Sequence, residues 1–590
     1  MKDPRDFYNS QIKKYEVQLK KASQKLAFSS LIRLIVFLLI AFLVYYFFGN
    51  GTAIVAVLLV GIAVFVFLVS RHSDLKYERD KFQELIGINE TELRVLNRDF
   101  HDLPSGEEFE DHSHAYSQDI DLFAKAGFFQ YLNRTALLEG RRKLASLLLS
   151  NDIQNIQQKQ EAIKELGEKA DWRQNFSAYA TLVKTETRTG TILHWLGNYR
   201  SFVPKIMKWL PPVFTFLSAV VIAAYFLDLV GGIELVIWLF VGLFITGIFL
   251  KRINLLSSSV SKVQDTFQQY HQLLDLIETT DFSAEMLQQQ KQQISSEYIK
   301  ASKTLREFSQ AIDALDQRNN MLFGIFGNGF MLWDLRQSYR LEKWIKGHGP
   351  QVEKWFKVIE FLDAYNSLGN FAFNHPAYVF PQLNADRNVI KAKQLAHPLL
   401  DPQKRVANDF SIEKEQFFII TGANMAGKST FLRTVSLQIL MANLGLPVCA
   451  EACEYSPIKL ITSMRTTDSL SDDESYFFSE LKRLKYIVEK IKTDKYFIIL
   501  DEILKGTNST DKAIGSRKFI EKLVNSNSTG IIATHDLSLC EVTEEHQEVR
   551  NYYFDAEIIN DELNFDYRFK KGICRNMNAS FLLKKMEIVD

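Results

Sequence analysis

The hydrophobic pattern divides the chain into unlike parts. Residues 34–70 contain no charge at all. One helix of that length, rising about 1.5 Å per residue, would overshoot a bilayer core of about 30 Å. The turn signal "GNGT" at 49–52 falls in its middle. The pattern therefore predicts a helical hairpin with arms at 31–48 and 53–69, the Arg33 side chain reaching back to the interface. A second apolar pair follows at 209–227 and 235–250, joined by "DLVGGIE". Between and after these pairs, residues 119–200 and 253–345 carry helical spacing with few Gly or Pro, and 352–373 reads as one more amphipathic helix. From about Tyr378 short apolar runs alternate with amphipathic stretches, the pattern of an α/β domain.

Charge orients the apolar pairs. Lys205, Lys208, Lys251 and Arg252 flank the second, and "KKYEVQLKKASQK" and "SRHSDLKYER" flank the first. The positive-inside rule then places a multi-pass protein in the cell (inner or plasma) membrane, with both termini in the cytoplasm.

The stretch "FFIITGANMAGKSTF" at 417–431 carries the chemistry. An apolar β-type run leads into Gly422, four residues, then Gly427-Lys428-Ser429, which fits the Walker A pattern. Glycines let backbone N–H groups of Gly422, Ala423, Asn424, Met425, Ala426 and Gly427 curl toward phosphate. Lys428 would reach the β- and γ-phosphates, Ser429 would ligate Mg²⁺, and the helix starting near Ser429 and Thr430 would offer its positive end to ATP. Downstream, "KYFIILDEILKGTNSTD" places Asp501 and Glu502 at the end of a second buried-strand run. Asp501 would hold Mg²⁺ and Glu502 would deprotonate the attacking water. A third run, "TGIIATHD", ends at His535, a γ-phosphate sensor by its position.

Composition bounds the remaining classes. The chain has 590 residues, 47% hydrophobic and 24% charged, which excludes a disordered chain. Lys+Arg and Asp+Glu are both 70, a balance that argues against a general nucleic-acid coat but leaves room for a local basic groove. Its four cysteines suit a reducing compartment. Cys449 and Cys453 have no partner pair in the sequence and read as core. His112 and His114, with Glu110 and Asp111 nearby, read as part of a polar linker rather than a metal site.

Taken together these motifs resemble the MutS family of DNA mismatch-repair ATPases. "TGANMAGKST" is similar to that family's TGPNMGGKST, with Ala423 and Ala426 replacing Pro and Gly. "AHPLL" (396–400), "VANDF" (406–410), "ILMANLGLPVCAE" (439–451), "FIILDEILKGTNSTD" and "ATHDLSL" resemble its other segments, as do 119–149 and 358–372 in the helical part. The resemblance implies an α/β P-loop ATPase domain of the ABC/MutS type, an all-α lever/core domain and two transmembrane helical hairpins. The expected division is 1–28 N-terminal helix, 29–70 first hairpin, 71–115 helical linker, 116–204 core and lever helices, 205–252 second hairpin, 253–375 further lever and core helices, and 376–590 ATPase domain. It also implies a homodimer through the ATPase domains, with Ser475 reaching the partner's ATP.

The departures are specific. Tyr476 stands where the family has Thr, Leu504 where it has Gly, and Lys505 where it has Arg. These permit binding and leave the hydrolysis rate open. "FQE" at 82–84 matches the family's mismatch wedge in three letters only and reads as a helix face. No mismatch-reading domain is expected ahead of residue 115, and no clamp between the levers. The function expected is thus a membrane-anchored MutS-like ATP hydrolase acting as a dimeric switch, with DNA or an unidentified membrane partner as its target. Two alternatives stay open: an ABC-type transporter, which lacks its LSGGQ-like signature here, and an ATP-dependent membrane scaffold that does not act on DNA.

Overall fold

The computed structural model describes residues 3–182, 188–295, 300–384, 387–465, 476–559 and 562–574. The chain opens with two helices, Pro4–Tyr46 and Gly51–Leu96, of 43 and 46 residues. Asp3 caps the first by accepting from Arg5 N, with Pro4 in the first turn, and Asn50 caps the second. Only Phe47 to Asn50 separate them, and Gly49 makes the reversal at φ +102°. They run antiparallel: the Arg5 guanidinium donates to Asn97 Oδ1 (2.6 Å) and Leu96 O (3.0 Å), and at the other end Gly61 faces Ile40. The expected boundaries at 28 and 70 therefore leave no mark on the backbone. A change from polar to apolar side chains does not break a helix, and no proline lies between Pro4 and Pro104. The helix also stops at Leu96, so much of the expected helical linker to 115 is turns and one short 3₁₀ turn, Glu107–Phe109. Phe82 of "FQE" stacks on Tyr15 between the two helices, a packing role.

The apolar halves of these helices stand out from the rest of the protein, with Phe37 58% and Phe67 68% exposed. The same holds for Leu210–Phe226 and the start of Gly232–Glu278, joined by Phe214 stacked on Trp238 (4.9 Å) and by Trp238 Nε1 donating to Ser218 Oγ (2.8 Å). Three described helices are long and apolar enough to cross a membrane: Pro4–Tyr46, Ala53–Leu96 and Gly232–Glu278. Leu210–Phe226, with 17 residues, is shorter than the arm expected there.

A helical body lies between the apolar pairs and the sheets. Its axis is the 42-residue helix Trp333–Asn374, which passes through Pro350 and so begins well before the expected 352. Phe267, Phe308, Trp344 and Phe356 form its central aromatic cluster. The helix Leu138–Leu149 has no cap of its own. Asp363, fully buried on the long helix, instead fixes the entry to it by accepting from Ala136 N (3.0 Å) and Leu137 N (2.9 Å), the two amides just before its first turn. The two helices meet so closely there that a Cβ on Gly140 would collide with the Asp363 carboxylate. Burial pushes that carboxyl up to about 7.

The C-terminal part contains two main sheets. Strands are β1 (Gln382–Leu383), β2 (Asn388–Leu395), β3 (Asn408–Glu413), β4 (Phe417–Gly422), β5 (Ala452–Tyr455), β6 (Lys459–Ser463), β7 (Tyr496–Asp501), β8 (Thr529–Ala533), β9 (Val549–Phe554), β10 (Ala556–Ile559), β11 (Glu562–Phe565) and β12 (Lys570–Lys571). The larger sheet has the order β12-β9-β4-β8-β7-β6 and is parallel except for β12. Every residue of β4 is buried, as a central parallel strand requires. The smaller sheet, β1-β5-β2-β3, is mostly antiparallel, and β10 and β11 form a separate hairpin.

Candidate functional site

The parallel register decides what meets at the sheet's edge. Ile420 pairs with Ala533, and Ala533 with Asp501, so β4, β8 and β7 end side by side. Ligands bind at that carboxyl edge in open α/β sheets. The loop after β4 turns through Met425 at φ +66° and Gly427 at φ +100°, then enters the helix Lys428–Asn443. Tyr567 covers this turn closely: a Cβ on Gly427 would lie 3.0 Å from its ring. No side chain caps the helix, so its first N–H groups are offered to a ligand.

Lys428 is buried and donates to Gly422 O (2.8 Å) and Ala423 O (3.0 Å). Burial lowers its pKa, with Glu502 and Asp501 acting against that. Ser429 Oγ donates to Asp501 Oδ2 at 2.6 Å. A hydroxyl and a carboxylate so placed form the hard oxygen pair that Mg²⁺ prefers. Burial raises the Asp501 pKa, and the Ser429 bond opposes it. His535 Nε2 lies 2.9 Å from Glu502 Oε1 and 3.1 Å from Lys428 Nζ. One ring nitrogen cannot serve both. With a proton it donates to Glu502; without one it accepts from Lys428. The His535 contact, joined by Lys505, holds the Glu502 carboxyl down at about 2.

These groups border a cleft of about 490 Å³. Of the residues expected from sequence, Lys428, Ser429, Asp501, Glu502 and His535 come together there, with Ala423, Asn424, Met425, Gly427 and Thr430 on the same wall. Gly422 ends β4 beneath the loop, and Ala426 is buried behind it. Ser475 lies outside the described residues. The structure adds His397, Arg405, Asn408 and Tyr567, which come from four other points of the chain. Burial holds the His397 imidazole down at about 4, so it is neutral. "AHPLL" was the sequence's one hint of it. Glu480 is a further addition, because its carboxylate accepts from Leu504 N and Lys505 N and fixes the loop behind Glu502.

The other candidates separate from this cleft. All four cysteines are buried and none is in a disulfide, and no group of three or more His, Cys, Asp or Glu is placed to hold a metal ion among the described residues. His114 is engaged with Leu149 O and the amides of Tyr116 and Ser117.

Residues 418–586 match the family model for MutS domain V. The chain is 30% identical to human MutS protein homolog 4 over 312 residues, covering 50% of this chain and 32% of that protein. It is 30% identical to the DNA mismatch repair protein MutS of Desulfatibacillum aliphaticivorans over 238 residues, 39% of this chain and 26% of the other. With the DNA mismatch repair protein MutS of Flavobacterium psychrophilum the identity is 30% over 244 residues, 40% and 28% respectively. The chain thus spans a third or less of the length of these relatives. Residues 418–586 thus match a MutS domain V, in a chain that is similar to MutS proteins over half of its length or less.

Proposed function

We propose that this protein is a membrane-anchored ATP hydrolase whose nucleotide state governs pairing of its C-terminal domains. The observation that carries this reading is the convergence of Lys428, Ser429, Asp501, Glu502 and His535 on one cleft. The donor set fits Mg-ATP: an uncapped helix end and a buried ammonium for phosphate oxygens, and Ser429 with Asp501 for the metal. Bound there, Mg-ATP would supply the phosphoryl group and the electrostatic activation of its transfer. Lys428 would leave its loop carbonyls for phosphate. Glu502 stays ionised at neutral pH, but at a pKa of about 2 it is a weak base. Loss of the His535 proton contact restores its basicity, so His535 acts as a brake on Glu502 until the ring turns to another partner. Ser475 would complete the site of a partner copy in a homodimer.

Membrane anchoring rests on the exposed apolar helices, which need cover that water does not give. Two hairpins with both termini on the cytoplasmic side fit their flanking lysines and arginines. The names of the relatives make DNA the first target to test. A scaffold whose load is a membrane partner is the second reading, favoured by helices that run unbroken from the apolar segments into the helical body.

The decisive measurement is ATP turnover by the full chain in nanodiscs, with and without duplex, mismatched and branched DNA at fixed salt. Stimulation by DNA supports nucleic-acid work at the membrane. Turnover indifferent to every DNA assigns the engine to a membrane load. Absence of both binding and turnover removes the ATPase reading.

A further inference from the structure

A short apolar helix outside both predicted hairpins is the element left without a role. Met321–Met331 reads "MLFGIFGNGFM" and packs on both Leu210–Phe226 and Gly232–Glu278. Its outward side chains have no cover: Met321 is 78% exposed, Leu322 68%, Phe326 54% and Met331 41%. An apolar helix of this length in a soluble body would be a core helix. This one is not in the core.

Its depth follows from its contacts. The backbones of Gly329 and Gly242 touch so closely that no side chain fits between them, and a Cβ on Gly329 would lie 2.7 Å from Leu239 Cδ1. Small residues permit such crossings between helices in lipid. Gly242 lies inside the apolar run that ends at Leu250, about 12 Å from that end at about 1.5 Å per residue. The two ends of the segment are charged and come together. Arg318 Nε lies 3.1 Å from Asp334 Oδ2, and Arg318 also donates to Asn254 Oδ1 at 2.7 Å, just past the basic pair Lys251-Arg252. Leu332, at φ +48°, reverses the chain, and Trp333 Nε1 donates to Ala314 O at 2.6 Å. The segment thus leaves the level of the basic residues, reaches that of Gly242, and returns.

We propose that Met321–Met331 is a re-entrant helix that enters the cytoplasmic leaflet beside the second apolar pair, with lipid covering Met321, Leu322 and Phe326. At 11 residues it spans about 16 Å, too little to cross a core of about 30 Å. Its backbone is helical, Asn320 caps its first turn by accepting from Leu322 N and Phe323 N, and one side is held by protein, as irregular entry into a leaflet requires. The Arg318–Asp334 pair closes its neck. The inference rests on the reading that Gly232–Glu278 crosses the bilayer, and it adds a third membrane element that leads directly into the long helix Trp333–Asn374.

The test is nitroxide labelling of the full chain in nanodiscs, one introduced cysteine at a time, with the unsubstituted chain as the blank for its native thiols. Phe326→Cys reports the re-entrant helix, Phe240→Cys the spanning helix and Lys303→Cys the aqueous body. Met321→Cys replaces Phe326→Cys if that variant does not fold. The expected result is a severalfold higher ratio of oxygen to nickel-chelate collision at 326 and 240 than at 303. High nickel-chelate collision at 326 with lipid-like behaviour at 240 overturns the re-entrant helix and leaves the membrane reading standing. Nickel-chelate collision at both overturns the membrane reading itself. Protection of 326 from both reagents means that protein, such as a second copy, covers the helix, which also overturns it.

Discussion

Leu504 holds a left-handed backbone, φ +60°, and its amide donates to the buried Glu480 carboxylate at 2.5 Å. The family's glycine at this position would take that conformation freely; leucine takes it at a cost of about 1–2 kcal/mol. Its side chain is buried and meets Gly515, so packing and the Glu480 bonds together hold the strained turn. Glu480→Ala leaves two amides without an acceptor. It should destabilise the fold by about 2 kcal/mol and lower kcat while leaving nucleotide affinity within a few-fold. Denaturant midpoints and single-turnover rates check this; an unchanged kcat would separate the loop from catalysis.

Lys428→Ala should abolish nucleotide binding, because it removes the one buried ammonium among the described residues of the cleft. The variant should still fold, since alanine fits without an added charge. Titration with a fluorescent ATP analogue measures the loss. Retained affinity would refute the P-loop assignment.

Glu502→Gln should bind ATP and fail to turn it over, accumulating as a dimer by light scattering. His535→Ala tests the brake. The contact with His535 holds the Glu502 carboxyl at about 2, so its removal returns that group toward its ordinary value of about 4. The acid limb of the pH–kcat profile should then move to higher pH in the variant. A limb that stays in place would mean that Glu502 is not the titrating base.

Asp363 makes a prediction about stability. Its carboxyl is raised to about 7 in the folded protein, above an unfolded value of about 4. The folded state therefore binds more protons. The stability linked to this group is fully present below the unfolded pKa and is lost as pH rises through about 7. Asp363→Asn should flatten the pH dependence of the melting midpoint across that window, at a cost of about 1 kcal/mol for one lost amide bond. Gly140→Ala should be worse than Asp363→Asn, because its methyl group collides with the carboxylate. A persisting slope in Asp363→Asn would assign the titration to another group.

The candidate cleft was legible because its residues sit in contiguous signatures at strand ends. Gly422 to Thr430, Asp501-Glu502 and His535 need only the parallel register to meet. His397, Arg405, Asn408 and Tyr567 were not, since each enters the cleft through packing of separate segments. Tyr567 follows the β10–β11 hairpin, and nothing local marks it as a cover for Gly427. In the helical part, periodicity found the helices but not their extent. The periodicity ended one helical stretch at 345 and began another at 352, yet buried contacts on both sides of Pro350 outweigh the lost hydrogen bond and the helix runs through. Met321–Met331 escaped because an eleven-residue, mostly apolar helix fits a core as well as a membrane, and only exposure separates the two.

That proline has a mechanical consequence. The helix Trp333–Asn374 is about 63 Å of nearly uniform rod at about 1.5 Å per residue, with stiffness supplied by one hydrogen bond per residue. At Pro350 the amide is missing and the ring crowds the carbonyl of Lys346, while Gly347 and Gly349 add freedom on the same turn. Elastic compliance is concentrated there. Bending of this helix between Asn374, which is tied to Tyr8 and Glu92, and Trp333 is therefore taken up first at this joint. The two halves of the helix are thereby stiff rods joined by one soft turn.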